Sequence, residues 1–146
     1  MKNQIAALSL LWTLAGCDAL PRDPDGTLDR VRQSQTIRVG LTGPGVPQHA
    51  RQLIAALAQQ NGARVTLKGG SLEPLLTELS ADRVDLVIAE VAKRTPWKTL
   101  VAPGPPLQVH GDGRERLEWR ALMKNGENRW IMQVEAASRD IAPDLS

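Results

Sequence analysis

The chain has 146 residues, 18 Lys+Arg against 16 Asp+Glu, a formal net charge of +2, a single cysteine, four tryptophans and neither Tyr nor Phe. A chain of this length holds one small domain with extensions rather than two independent cores. Its near-neutral charge leaves no basic footprint for nucleic acid, and one cysteine excludes an internal disulfide.

The first elements are not part of a folded domain. Lys2 supplies a positive start, residues 5–14 an apolar run, and Leu14-Ala15-Gly16 a small-residue cleavage site, the pattern of a signal peptide over residues 1–16. The run is too short to serve as a membrane-spanning helix, which needs about 20 residues. Cys17 follows directly. Leu14-Ala15-Gly16-Cys17 resembles a bacterial lipobox, which implies that the signal is cut before Cys17 and that this residue carries diacylglycerol and an N-terminal acyl chain such as palmitate. Two or more acyl chains anchor a soluble domain stably where one would be marginal. Asp18 in the next position implies retention at the periplasmic face of the inner membrane. Without Lys2 the 18 basic residues fall to 17, against 16 acidic ones. Residues 17–26, with Pro21 and Pro24 among charges, are expected to form a tether.

The stretch from residue 36 to residue 90 alternates strand and helix signals. Thr27 is expected to cap a short helix with Leu28 and Val31 turned inward. Ile37, Val39 and Leu41 alternate as a strand that Gly43-Pro44-Gly45 ends. Pro47 opens a helix whose Ala50, Leu53, Ile54, Leu57 and Ala58 share one face, and Asn61-Gly62 closes it. Residues 64–67 make a second strand. Ser71 then caps a helix with the stripe Leu72, Leu75, Leu76 and Leu79. Residues 84–89 are almost continuously apolar, as in a strand covered on both faces. Two consecutive strand–helix–strand units predict right-handed crossovers and a parallel sheet. Further on, Leu117, Trp119, Ala121 and Met123 alternate as another strand, and Trp130, Ile131, Val134 and Ala137 mark a last helix. Residues 141–146 are expected as a frayed tail. The domain is placed at 27–140.

The segment Leu28-Asp-Arg-Val-Arg-Gln-Ser-Gln-Thr-Ile-Arg-Val-Gly-Leu-Thr-Gly43 resembles the opening of bacterial family 3 extracellular solute-binding proteins, the periplasmic receptors of ABC importers. Residues 75–89, Thr95-Pro-Trp-Lys98 and residues 100–107 are similar to the segments that follow in that family. The resemblance covers residues 28–107. It implies an α/β domain of the type 2 periplasmic-binding-protein kind, three-layered with a mostly parallel sheet. It also implies noncovalent binding of a small polar or anionic solute, and an ABC permease or other inner-membrane protein as partner. Members of the family close two lobes around their ligand, whereas this chain has about forty residues after Leu107, too few for a second core. A single lobe is therefore expected, which also admits a derivative that acts as an interaction module of an envelope complex. Family members place an aromatic residue soon after the first strand, which residues 42–48 lack, and where they carry a ligand-pairing arginine this chain has Lys98, a point charge without the bidentate fork.

Ligands of open parallel sheets bind outside the strand carboxyl ends. This places Thr42, Thr95 and Lys98 as the ligand-binding candidates, the alternative being plain turn and loop residues. No catalytic constellation emerges. His49 and His110 share no metal-ligand spacing, and His49 is expected as an exposed residue of a helix's first turn. Asp82 and Asp85 read as turn residues, and Pro44 removes an N–H that a phosphate cradle would need. No metal, cofactor or enzymatic activity is expected.

Overall fold

Alternating apolar residues and turn formers do produce strands at the expected places, joined into one sheet. A computed structural model describes residues 22–93, 96–113 and 116–145. Its elements are α1 (Thr27–Ser34), β1 (Thr36–Thr42), α2 (Gln48–Asn61), β2 (Arg64–Gly70), α3 (Leu72–Ser80), β3 (Leu86–Ala92), β4 (Val101–His110), β5 (Leu117–Lys124) and α4 (Asn128–Ile141). The strand order is β2-β1-β3-β5-β4. β1 pairs in parallel with β2 and β3, and β3–β5 and β5–β4 are antiparallel. The parallel half is the one its crossover helices dictate. The other half is antiparallel because β4 and β5 are joined by a short hairpin, which reverses the chain.

Helices cover both faces, giving the three-layer α/β arrangement. On one face α1, α2 and α4 pack Val31, Leu53, Leu57 and Trp130 against Ile37, Val39, Leu86 and Ile88. On the other, α3 lays Leu75, Leu76 and Leu79 over Val87, Ala89 and Leu122. The close approach of α3 needs Gly40: a Cβ there would lie 3.0 Å from Leu75 and 3.2 Å from Val87. Gly62 ends α2 in the left-handed conformation, φ 58°, where a side chain is disfavoured.

Several boundaries differ from expectation. β2 continues to Gly70, and β3 is shifted to Leu86–Ala92. The stretch 101–110 is a strand despite Pro103, Pro105 and Pro106, because it lies at the sheet's edge and its register with β5 breaks around Pro106; there a missing N–H costs no ladder bond. The end of the chain is not frayed over its described part. Ile141 completes α4, Ala142 is buried, and Pro143–Leu145 forms a 3-10 turn.

The N-terminal segment departs most. Residues 22–26, expected as tether, are bound into the domain, and Thr27 is not the cap but a buried residue of the first turn. Asp23 Oδ2 accepts from Leu28 N at 3.2 Å, while its Oδ1 accepts from Arg129 N at 2.6 Å and Trp130 N at 3.2 Å, so one carboxylate caps both α1 and α4. Glu127, fully buried, returns the contact by accepting from Asp25 N (2.8 Å) and Thr27 N (2.7 Å). Each carboxylate satisfies orphan first-turn donors and lies at the positive end of a helix dipole. Replacing Asp23 or Glu127 by alanine is expected to lower unfolding free energy by about 1–2 kcal/mol each. In urea titrations the double variant should lose less than the sum, because the two caps close one clasp; strict additivity would show them to be independent.

Candidate functional site

β1 and β3 lie side by side and parallel, and the helices that follow β1 and β2 cover opposite faces. The strand order therefore reverses between β1 and β3, the switch point at which open α/β sheets form a crevice outside the strand carboxyl ends. Thr42 ends β1 there, with its hydroxyl 3.4 Å from the carbonyl of Ile88. Gly43, Pro44 and Gly45 are exposed beyond it. His49, in the first turn of α2, is half-buried rather than exposed, and its Nδ1 bonds the carbonyl of Leu107 at 2.8 Å. That bond ties the helix start to the edge strand.

Pairing across β3, β5 and β4 gathers a second set of groups. Glu90 lies opposite Trp119, Trp119 opposite Gln108, and Leu117 opposite His110. Glu90, Trp119, Gln108 and His110 thus share the sheet face covered lower down by α2 and α4. His110 Nδ1 is 2.8 Å from Glu90 Oε1, and the side-chain amide of Gln108 bonds His110 Nε2. The Glu90 side chain is 32% exposed and the His110 ring 52%, so the pair is open to a ligand from solvent. Beneath it Trp119 is nearly buried.

The opposite face at the same pole is cationic. Glu118 is buried to 1% and clasped by Arg116 Nε at 2.7 Å and Arg120 Nε at 2.7 Å, and Arg120 also bonds the carbonyl of Gly104. Burial pushes the Glu118 carboxyl up, but the hydrogen bonds from Arg120 and Arg116 outweigh it and hold the group below its ordinary value. Two guanidiniums around one carboxylate leave a net positive charge, to which exposed Lys93 adds. A solute over the strand ends therefore meets a carboxylate on one side and cations on the other. This arrangement suits binding of polar, zwitterionic molecules. Neither imidazole bonds a hydroxyl or thiol nucleophile among the described residues, and no group of three or more His, Cys, Asp or Glu is gathered there as a metal site.

Of the candidates read from sequence, Thr42 stands at the crevice. Thr95 and Cys17 lie outside the described residues. Lys98 belongs to the 3-10 turn Pro96–Thr99 between β3 and β4, and its side chain is outside the described part. Glu90, Gln108 and His110 were missed. The signal was present: Glu90 is the one charged residue of Leu86–Ala92, and Gln108 and His110 sit at strand spacing.

No protein-family model matches this chain, and no curated protein matches it. Solved structures do. The chain is similar to domain 1 from TmArgBP in its arginine-bound form, with 15% identity and a TM-score of 0.65 over 77% of this chain and 98% of that one. An ancestral cationic amino acid solute-binding protein follows with 11% identity and a TM-score of 0.66, over 81% of this chain and 94% of that one. Tv2483 bound to L-arginine gives 5% identity and 0.64, over 82% and 90%. The fold is that of a single solute-binding-protein lobe.

The lowered Glu118 value has a consequence for stability. The folded chain keeps this carboxylate ionised at pH values where the unfolded chain, with an ordinary value of about 4.3, takes up a proton. The contribution is complete above that value and is lost as pH falls through the lowered one. Glu118→Gln should cost about 1–3 kcal/mol at neutral pH, since two arginines lose their anion. Its urea midpoint should also fall less steeply than that of the parent between neutral pH and about pH 3. Parallel curves would remove Glu118 from the acid response.

Proposed function

We propose that this chain is an exported lipoprotein whose single lobe binds a small polar solute of the amino-acid class, noncovalently, as the substrate-binding component of an ABC importer. The observation that carries the reading is the set of polar groups at the strand-carboxyl pole. There Thr42 lies at the sheet's switch point, with the half-exposed Glu90–His110 pair on one side and Arg116, Arg120 and Lys93 on the other. The arginine-bound state of the domain and of Tv2483 to which the lobe is similar supports a solute with a cationic group. In this reading Glu90 receives the solute's cationic nitrogen, Thr42 offers its hydroxyl, and Thr95 and Lys98, in the loop after β3, take the carboxylate end. His110 holds the Glu90 carboxylate in place, and its bond to Glu90 must yield or rearrange as the solute enters.

Cys17 carries the lipid, and the first sixteen residues leave as a signal peptide. Geometry favours such an anchor. Residues 22–26 join the domain at the amino ends of the parallel strands, where Asp25 meets Lys124 at 2.8 Å. The solute crevice lies at the opposite ends. A tether from Cys17 would therefore hold the domain with its binding pole turned away from the lipid, toward incoming solute. The partner would be an inner-membrane permease. Among the described residues no helix is long and apolar enough to cross a membrane.

Thermal melts with arginine, lysine, neutral amino acids and small carboxylates test the site. A solute at 100 times its dissociation constant adds about 2.7 kcal/mol of stability, so a binder should raise Tm by several degrees. Glu90→Gln should remove the response to cationic solutes, and a flat response to the whole panel would end the solute-binding reading. Cys17→Ser should move the chain from the membrane fraction to the soluble one; retention at the membrane would refute the anchor.

A further inference from the structure

The two margins of the sheet are built differently. The β4 margin is shielded by Pro103, Pro105 and Pro106, which offer no N–H, and by breaks in its register with β5, the devices that keep an edge strand from pairing outward. β2 has none of them. Its seven residues match β1 one for one without a bulge, contain no proline, and are all exposed except the half-buried Val65. Leu67 lies 62% exposed on this margin, and its pairing with the buried Val39 turns it toward the face carrying α1, α2 and α4. Lys68 is the residue type that usually guards such an edge, but here its Nζ is drawn back to Glu78 Oε2 at 2.6 Å on α3.

We propose that β2 is a self-association edge. A second copy of this chain adds its own β2 antiparallel to the first, across a two-fold axis normal to the sheet at Leu67, so that two five-stranded sheets become one. Such an axis keeps the helical faces of the copies on the same sides, so opposed residues must come from one face of β2. Charge then selects the register. Centring the axis on Thr66 opposes Arg64 to Lys68, and centring it on Lys68 opposes the two lysines; like charges directly opposite each other are destabilising. Centring it on Val65 or Gly69 leaves only three residues of β2 in the ladder. Centring it on Leu67 uses all seven, places Arg64 opposite Gly70, Val65 opposite Gly69 and Thr66 opposite Lys68, and brings the two exposed leucines together. The contact lies along the sheet's side and leaves the strand-carboxyl crevice of both copies open, so it is independent of solute binding.

The test is cysteine cross-linking in the full chain carrying Cys17→Ser, which leaves no other thiol. Residues directly opposite in an antiparallel pair have Cα atoms about 4.5–5.5 Å apart, within disulfide reach. Leu67→Cys should therefore form a covalent dimer under mild oxidation. Thr66→Cys places the two thiol-bearing Cα atoms roughly 8 Å apart and should not. Met132→Cys, on α4 and 54% exposed, reports random collision. Sedimentation should give a dimer for the parent and a monomer for Leu67→Lys, which opposes two lysines at the axis, with the circular dichroism spectrum of the folded chain retained and the melting temperature no longer dependent on concentration. Linking of Leu67→Cys no faster than Met132→Cys, or a monomeric parent, would overturn the proposal. Preferential linking of Thr66→Cys would overturn the register, and disulfide capture of a different protein at Leu67→Cys would assign the edge to a foreign strand.

Discussion

The structure depends on Asp85. Its side chain is 1% exposed, and a carboxylate removed from water must be paired and hydrogen-bonded. Arg38 meets it as a fork, Nε to Oδ2 at 3.1 Å and Nη2 to Oδ1 at 2.6 Å, while the backbone N–H of Arg38 donates to Oδ2 at 2.7 Å and Arg30 Nη2 reaches Oδ1 at 3.1 Å. The backbone of Asp85 works in the same place. Its N–H donates to the carbonyl of Arg38 at 2.8 Å, and its carbonyl accepts from the buried indole of Trp130 at 2.8 Å. One residue thereby fixes α1, β1, the entry to β3 and α4 relative to one another. Losing either partner of a buried pair of this kind costs about 3–5 kcal/mol, more than the helical propensity of a short element such as α1 can supply.

Several ionic clasps gather at the amino ends of the parallel strands. Asp23 and Glu127 cap α1 and α4 there, and Lys124 bridges Asp25 and Asp82 at 2.8 and 2.9 Å. At this end Lys124 is held above its ordinary value: desolvation lowers it, but the bonds to Asp25 and Asp82 prevail. The strands are thus registered largely from their amino ends. At the carboxyl ends Arg116 and Arg120 are held by the buried Glu118, while Glu90, paired with His110, is left partly exposed.

What the sequence showed follows from range. The apolar stripes of α2 and α3, the alternation in β1 and β5 and the inward face of α4 are local, with periods of 3.6 or 2, and they are present as read. What escaped was long-range. Asp23 acts on donors 106 and 107 positions away, so the Pro- and charge-rich segment around it had the composition of a linker. β4 was hidden by prolines that argue against a strand anywhere except an edge, and edge position is a property of the assembled sheet. The site divides in the same way. Thr42 was visible as the end of a strand, but Glu90, Gln108 and His110 meet only once β5 lies between β3 and β4.

The hairpin between His110 and Leu117 decides how this pole can work. Six residues separate the end of β4 from the start of β5, too few to insert a second lobe between these two strands. A single open wall gives a solute fewer contacts than the enclosed pockets that bury most of a ligand, and retained water screens the attraction of an exposed carboxylate. On the proposed reading, binding at Glu90 alone is therefore expected to be weak and fast. It becomes selective only where a second surface excludes water from the Glu90–His110 pair, because a charge contact gains strength as the surrounding dielectric falls.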